Sequence, residues 1–306
     1  MSSNGYFPTP VDSTKFVSRS SGKNGYLKTS FEAFLYRPIN PGQLKLTIKL
    51  NVRLRQQSPR LITRDHEKKP FFSAPWNSTD WQKFVAEATA QANLWNNRFW
   101  IRPAKSFSQF DRKFDTFPGQ AYRPNIRCEL VVDFNPKGDA VATIDVANLS
   151  KGFLRLLGHS EHAGTFRSNA ILWDSLDGTP WLSPLGAGGP EKHYMIAHEL
   201  GHLLGLGHIG VLRKTAMCVL AQQAEAQGTA VPANSPLAGG QDALVCYGFG
   251  ESNDIAGNVM GAGGKFTGDN AVPWLWAIMA MRGKPNDFPG WHMLTHDPGE
   301  GSWVKQ

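Results

Sequence analysis

HELGHLLGLGH, residues 198–208, places three histidines, one glutamate and three glycines in eleven positions. On an α-helix, residues four apart stand one above the other, so His198 and His202 share a face with Cβ atoms about 5 to 6 Å apart. Their imidazoles can supply two ligands to a tetrahedral ion at about 2.0 to 2.1 Å. Glu199 is rotated about 100° from His198, so it stays off the ion while its carboxylate can reach a water beside it. A helix continuing past Leu204 would carry His208 round to another side. Gly205 in left-handed backbone ends the helix instead and turns the chain, which lets His208 return beneath the same ion. Three neutral histidines leave a fourth position for water, as in a catalytic zinc site and not a structural one.

The flanking sequence indicates what carries this stretch. GAGGP at 186–190 predicts a helix opening with Pro190 in its first position and Glu191 in its first turn, with the histidines further along. AILWD at 170–174 reads as a short strand. CELVVDF and AVATIDV, joined by the turn NPKGD, predict a hairpin over 128–146. LKLTIKLNVRLR, 44–55, alternates without a break, with Leu44, Leu46, Ile48, Leu50, Val52 and Leu54 on one face and mainly basic residues on the other. That is a strand with one buried and one solvated face. Thr79 and Gln82 fit a capping box, and Trp81, Phe84, Val85, Ala88, Ala92, Trp95 and Phe99 recur at helical steps, predicting an amphipathic helix over 79–100.

Residues 1–40 are rich in Ser, Gly, Lys and Asn and show no period, so we expect a flexible arm or irregular wrap. After His208 the chain turns to Gly, Ala and Ser, with an expected insertion from about Ala221 to Asp242. NAVPWLWAIMAMRG, 270–283, predicts a closing helix with Asn270 near its cap, Pro273 in its first turn and Gly283 as its stop. The expected fold is α+β: a single domain over 41–306, with an upper lobe at 41–208 and an irregular lower lobe at 209–306 ending in a helix.

The net charge of +7 favours acidic partners, but Lys and Arg are spread along the chain, as on a solvated surface. No zinc finger, basic tail or recognisable nucleic-acid module is present, so a nucleic-acid-associated protease or binder is the lesser alternative. No apolar run is long enough to span a bilayer. The start, MSSNGYFPTPVDS, lacks the apolar stretch of a secretory signal, and we expect cytoplasmic synthesis with any export by a signal-independent route. The three cysteines form no CxxC pair. Cys218 and Cys246 bracket the Gly/Ala-rich segment and are either a staple or two small buried thiols, and Cys128 falls within a predicted strand.

The pattern HExxHxxGxxH, carried by His198, Glu199, His202, Gly205 and His208, resembles the signature of the metzincin zinc endopeptidases. The same group carries a methionine turn beneath the metal, and Asn258-Val259-Met260-Gly261 offers Met260 for it. The resemblance covers residues 41–283. It implies an upper lobe with a twisted, mostly parallel sheet and two long helices, a substrate cleft, and a lower lobe ending in a helix. It further implies one Zn2+ on His198, His202 and His208, with Glu199 as general base and peptide or protein as substrate. In some members a tyrosine two residues past the methionine reaches the metal; here that position is Ala262. No cysteine-switch latch is present.

Substrate is expected to add as a strand along Ala170, Ile171, Leu172 and Trp173. The segment 261–267 is expected to wall the specificity pocket, its glycines leaving room for a large side chain. Tyr247 and His193, near the motif in sequence, are read as structural. His292 and His296 lie among prolines and glycines and are not expected to hold a second metal, nor are His159 and His162. We expect a zinc endopeptidase, of the exported or injected bacterial effector type. A zinc-binding protein without turnover is the further alternative, which the presence of Glu199 opposes.

Overall fold

The structure is a computed structural model and describes residues 12–17, 30–36, 43–62, 70–104, 108, 111–113, 119–159, 168–183, 191–229, 244–282, 290–298 and 301–305. The first half of the chain supplies β1 (Asp12–Val17), β2 (Ser30–Tyr36), β3 (Gln43–Gln56), β4 (Leu61–Ile62), β5 (Phe71–Ala74), α1 (Ser78–Ala92), β6 (Trp100–Arg102) and β7 (Arg112–Lys113). There follow β8 (Gln120–Asp133), β9 (Ala142–Leu149), α2 (Lys151–Leu156), β10 (Leu172–Asp174), β11 (Trp181–Ser183) and β12 (Glu191–His193). The last part holds α3 (Met195–Leu203), α4 (Ile209–Arg213), α5 (Ala216–Ala226), α6 (Asn253–Ala256), α7 (Val272–Met281), β13 (His292–Leu294) and β14 (Gly301–Lys305). Among the described residues no helix is long and apolar enough to cross a membrane.

β3 is the axis of a mixed sheet. Leu44, Leu46, Ile48, Leu50 and Val52 are all buried, as the period of two predicts. At about 1.5 to 3 kcal/mol for each large aliphatic side chain removed from water, this one face anchors the core. The opposite face is tied by charge across strands: Lys45 to Glu129 at 3.2 Å, and Arg55 to both carboxylate oxygens of Asp145 at 2.5 and 2.9 Å.

Three expectations change around β3. The hairpin over 128–146 does not form: Gln43–Asn51 runs parallel to Asn125–Asp133, and Val52–Gln56 runs parallel to Ala142–Val146. Both strands alternate, with Cys128 and Leu130 buried beside an exposed Val131 and with Ile144 and Val146 buried beside an exposed Thr143, and such a half-buried alternation suits two parallel strands on either side of β3 as well as it suits a hairpin. Residues 1–40 are not all arm. β2 lies antiparallel on β3 with Phe31, Ala33 and Leu35 fully buried, and β1 pairs with β2. The chain also does not end its structure in a helix, since β13 pairs with β6 and β14 with β8. α7 buries Trp274, Ala277, Ile278 and Met279 in the same core cluster as β3, so the segment after 208 shares the core of the segment before it.

Helix α1 covers one face of the sheet through Phe84, Ala88 and Ala92. Its cap is Asn77, whose side-chain oxygen accepts from Asp80 N at 2.8 Å, so the helix starts before the expected Thr79–Gln82 box and gives way to a 3₁₀ turn at Asn93–Trp95. Asn at this position satisfies an amide that the helix leaves open, which Thr79 inside the helix cannot do. At the other end Asn96 brackets Leu130 of β8 with two hydrogen bonds, 2.7 and 3.1 Å. Replacing Asn77 by Ala is expected to destabilise the fold by about 1 kcal/mol in urea titration, whereas Thr79→Ala stays within about 0.5 kcal/mol.

Candidate metal centre

The motif helix begins at Met195, later than expected; Glu191 lies in β12, and Pro190 is outside the described residues. Tyr194 at its cap position makes no side-chain cap bond. The cap comes from α1 instead: Gln91 Oε1 accepts from Ile196 N at 3.1 Å and Ala197 N at 3.4 Å, and its Nε2 donates to the carbonyls of Asp177 and Gly178 at 2.7 and 2.9 Å. Trp95 Nε1 donates to Ala197 O at 3.2 Å. The helix that carries two histidines is thus fixed to α1 and to the turn after β10 before any ligand binds.

Gly205 has φ +89°, as the sequence predicts. Leu206 N donates to Gly201 O and Gly205 N to His202 O, both at 2.9 Å, the two bonds of a Schellman turn. The carbonyl of Leu206 then points back and accepts from His202 Nδ1 at 2.8 Å. His198 Nδ1 donates to the carbonyl of Val259 at 2.7 Å. A carbonyl can only accept, so both rings carry hydrogen on Nδ1 and present a lone pair on Nε2. The two Nε2 atoms lie 3.1 Å apart, close to the roughly 3.3 Å that separates two nitrogens around a tetrahedral zinc. His208 completes the set, and the ligand atoms of all three residues fall within 4.8 Å of one another.

Burial pushes the imidazolium form of His198 well down, with further depression from His202, His208 and His193, and burial also lowers His202. Neutral imidazoles are the form that binds a metal. The donor set, its convergence and its fixed tautomers therefore fit a divalent cation with a preference for nitrogen. Glu199 is buried at 4% exposure on the same helix. Among the described residues this is the one group of three or more such side chains close enough to hold an ion. His292 is exposed on β13 and His159 stacks on Phe71; His162 lies outside the described residues.

Met260 lies against the motif helix. It is fully buried against Gly201: a Cβ at Gly201 would stand 2.1 Å from its sulfur, so the second x of HExxH is not free here. The Met260 amide donates to Asn258 Oδ1 at 2.8 Å, and the carbonyl accepts from Ile209 N at 2.9 Å, next to His208. Asn258 is itself locked by a reciprocal amide pair with Asn270, both bonds 3.0 Å.

Other expectations for the site are corrected. The edge assigned to Ala170, Ile171, Leu172 and Trp173 is not open for substrate. Ile171 N donates to Asn169 Oδ1, Leu172 N to Asn169 O and Asp174 N to Asp177 Oδ2, β10 lies parallel on β9, and Trp173 is fully buried. The strand entering the motif helix is β12, paired with β11. The glycines after Met260 do not leave room for a side chain. A Cβ at Gly263 would lie 2.2 Å from Gly257 O, and one at Gly264 2.5 Å from Lys192 O and 2.7 Å from the Tyr194 ring. The segment is packed directly on its neighbours.

Tyr247 and His193, read as structural, both stand at the centre. The Tyr247 ring is 3.8 Å from that of His208 and 6.0 Å from that of His198, stacked on the latter. His193 is 5.5 Å from His198; burial takes it down to about 4, against the opposing pull of hydrogen bonds to the carbonyls of Ala262 and Gly263. Proximity in sequence was the available signal for His193, and it does not tell a ring beside a ligand from one beneath it; Tyr247, 39 residues after His208, reaches the centre only through the fold. Compared with protein-family models, with curated proteins and with solved structures, the chain matches none.

Gly205→Ala forces a side chain into left-handed backbone, costing about 1 to 2 kcal/mol, and moves the Leu206 carbonyl off His202. We expect a lower melting temperature by calorimetry together with weaker zinc binding in a chelator competition.

Proposed function

We propose that this chain is a zinc-dependent endopeptidase of the metzincin type. The observation that carries the proposal is the convergence of the three histidines of HExxHxxGxxH, two of them locked by backbone carbonyls, with Glu199 buried on the same helix and Met260 packed beneath it. A zinc ion held by His198, His202 and His208 would supply Lewis acidity, lowering the pKa of a water and polarising a peptide carbonyl.

The remaining work falls to the chain. Glu199 is one residue from His198, about 100° round the helix, so its carboxylate would stay off the ion and could reach a water held beside it. Its carboxylate takes the proton of that water as the oxygen adds to the carbonyl carbon, and returns it to the amide nitrogen as the C–N bond breaks. Val259 O and Leu206 O hold His198 and His202 against rotation, so the donor set does not need to reorganise when substrate arrives. The Cys218–Cys246 disulfide favours work in an oxidising environment, in keeping with an exported protein.

Zinc-loaded protein incubated with an unfolded protein substrate is expected to cut it. Glu199→Ala should keep its zinc and lose about 10² to 10⁴ in rate. A wild type that holds zinc and leaves both unfolded and native proteins intact removes the endopeptidase reading.

A further inference from the structure

His198 and His202 are placed by α3 and its two carbonyl anchors, but His208 lies beyond that helix, in extended backbone at φ −57°, ψ 154°, immediately before α4. Its position therefore depends on what packs around it. On one side Ile209 N is tied to the carbonyl of Met260. On the other lies the single 3₁₀ turn Leu244–Tyr247, whose tyrosine ring covers the His208 ring at 3.8 Å. The same turn backs α4: a Cβ at Gly210 would sit 2.9 Å from both Cα and O of Cys246.

A four-residue 3₁₀ turn has little stability of its own. This one is bonded through Cys246 to Cys218 on α5, and both sulfurs are fully buried in a small cluster with Ala221 and Val245. The connections close a ring. From His208 the chain runs through α4 and α5 to Cys218, crosses the disulfide to Cys246, and returns through the Tyr247 ring onto His208.

We propose that the Cys218–Cys246 disulfide holds the third metal ligand in place through Tyr247, so that metal affinity, and not stability alone, depends on the oxidation of this pair. Tyr247 is here a positioning residue. The proposal rests on the metal reading above. Forming the bridge removes two protons and two electrons from the two thiols, which an external disulfide accepts by exchange, becoming two thiols itself. Before that step the turn that carries Tyr247 is not bonded to α5; after it the ring is held on His208.

The test compares the full chain as wild type, Cys218→Ala/Cys246→Ala, Tyr247→Ala and Tyr247→Phe, each stripped of metal and titrated with zinc against a chromogenic chelator, with folding followed by circular dichroism. The double cysteine variant and Tyr247→Ala are expected to bind zinc about 10-fold or more weakly, the loss usual for an outer-shell partner, while Tyr247→Phe, which keeps the ring, retains most of the affinity. A double variant that folds and binds zinc as tightly as wild type overturns the proposal. Should that variant not fold, Tyr247→Ala decides, and wild-type affinity there overturns it. A wild type that binds zinc and cleaves nothing, with the variants weakened as expected, leaves this inference standing and removes only the endopeptidase reading. A cleaving wild type whose zinc affinity is indifferent to these changes does the reverse. A wild type that binds no zinc overturns both.

Discussion

The bond from His202 Nδ1 to the carbonyl of Leu206 exists only because Gly205 adopts left-handed backbone and folds the chain under its own helix end. One residue thereby ends α3, satisfies the helix's last carbonyls through the Schellman pair, fixes the tautomer of the second histidine and sends the chain toward the third. A side chain with a Cβ resists that conformation. The candidate metal centre thus hangs on the absence of one carbon atom, and the glycine that interrupts a helical pattern in the sequence is the part that allows three histidines to meet.

Rigidity around the centre comes from polar groups that are each used twice. Gln91 caps the start of α3 with its oxygen and holds the 177–178 carbonyls with its nitrogen, joining α1, the turn after β10 and the motif helix. The Met260 turn supplies the Val259 carbonyl to His198 and the Met260 carbonyl to Ile209, while Asn258 keeps the turn closed from within. Buried imidazoles in contact disfavour protonation of one another, so the pocket that these bonds define holds its nitrogens neutral and ready for a cation.

Much of this was legible in the sequence where the signal is local. The β3 alternation, the HExxH spacing and the Gly205 turn each depend on contacts within a few residues or on a conformational preference of one residue, and each reading agrees with the structure. The misreadings concern partners that periodicity does not specify. Apolar runs at 128–134 and 140–146 suit a hairpin or two parallel strands equally well, and only the presence of β3 between them decides. The glycines at 263 and 264 looked like open space because a sequence does not show the Gly257 and Lys192 carbonyls that press on them. The segment 170–173 looked like an available edge because the side chain of Asn169, which occupies an amide there, is indistinguishable from any other polar residue.

By itself the sequence determined the donor types, their spacing on a helix and the point at which that helix must stop, since these follow from 3.6 residues per turn and from the backbone freedom of glycine. Only the tertiary structure decided that the Val259 carbonyl orients His198, which glutamine caps the motif helix, and that Cys218 and Cys246 join to press Tyr247 onto His208. Those choices depend on packing between segments tens to more than a hundred residues apart, where periodicity carries no information and the buried position of each group sets its partner.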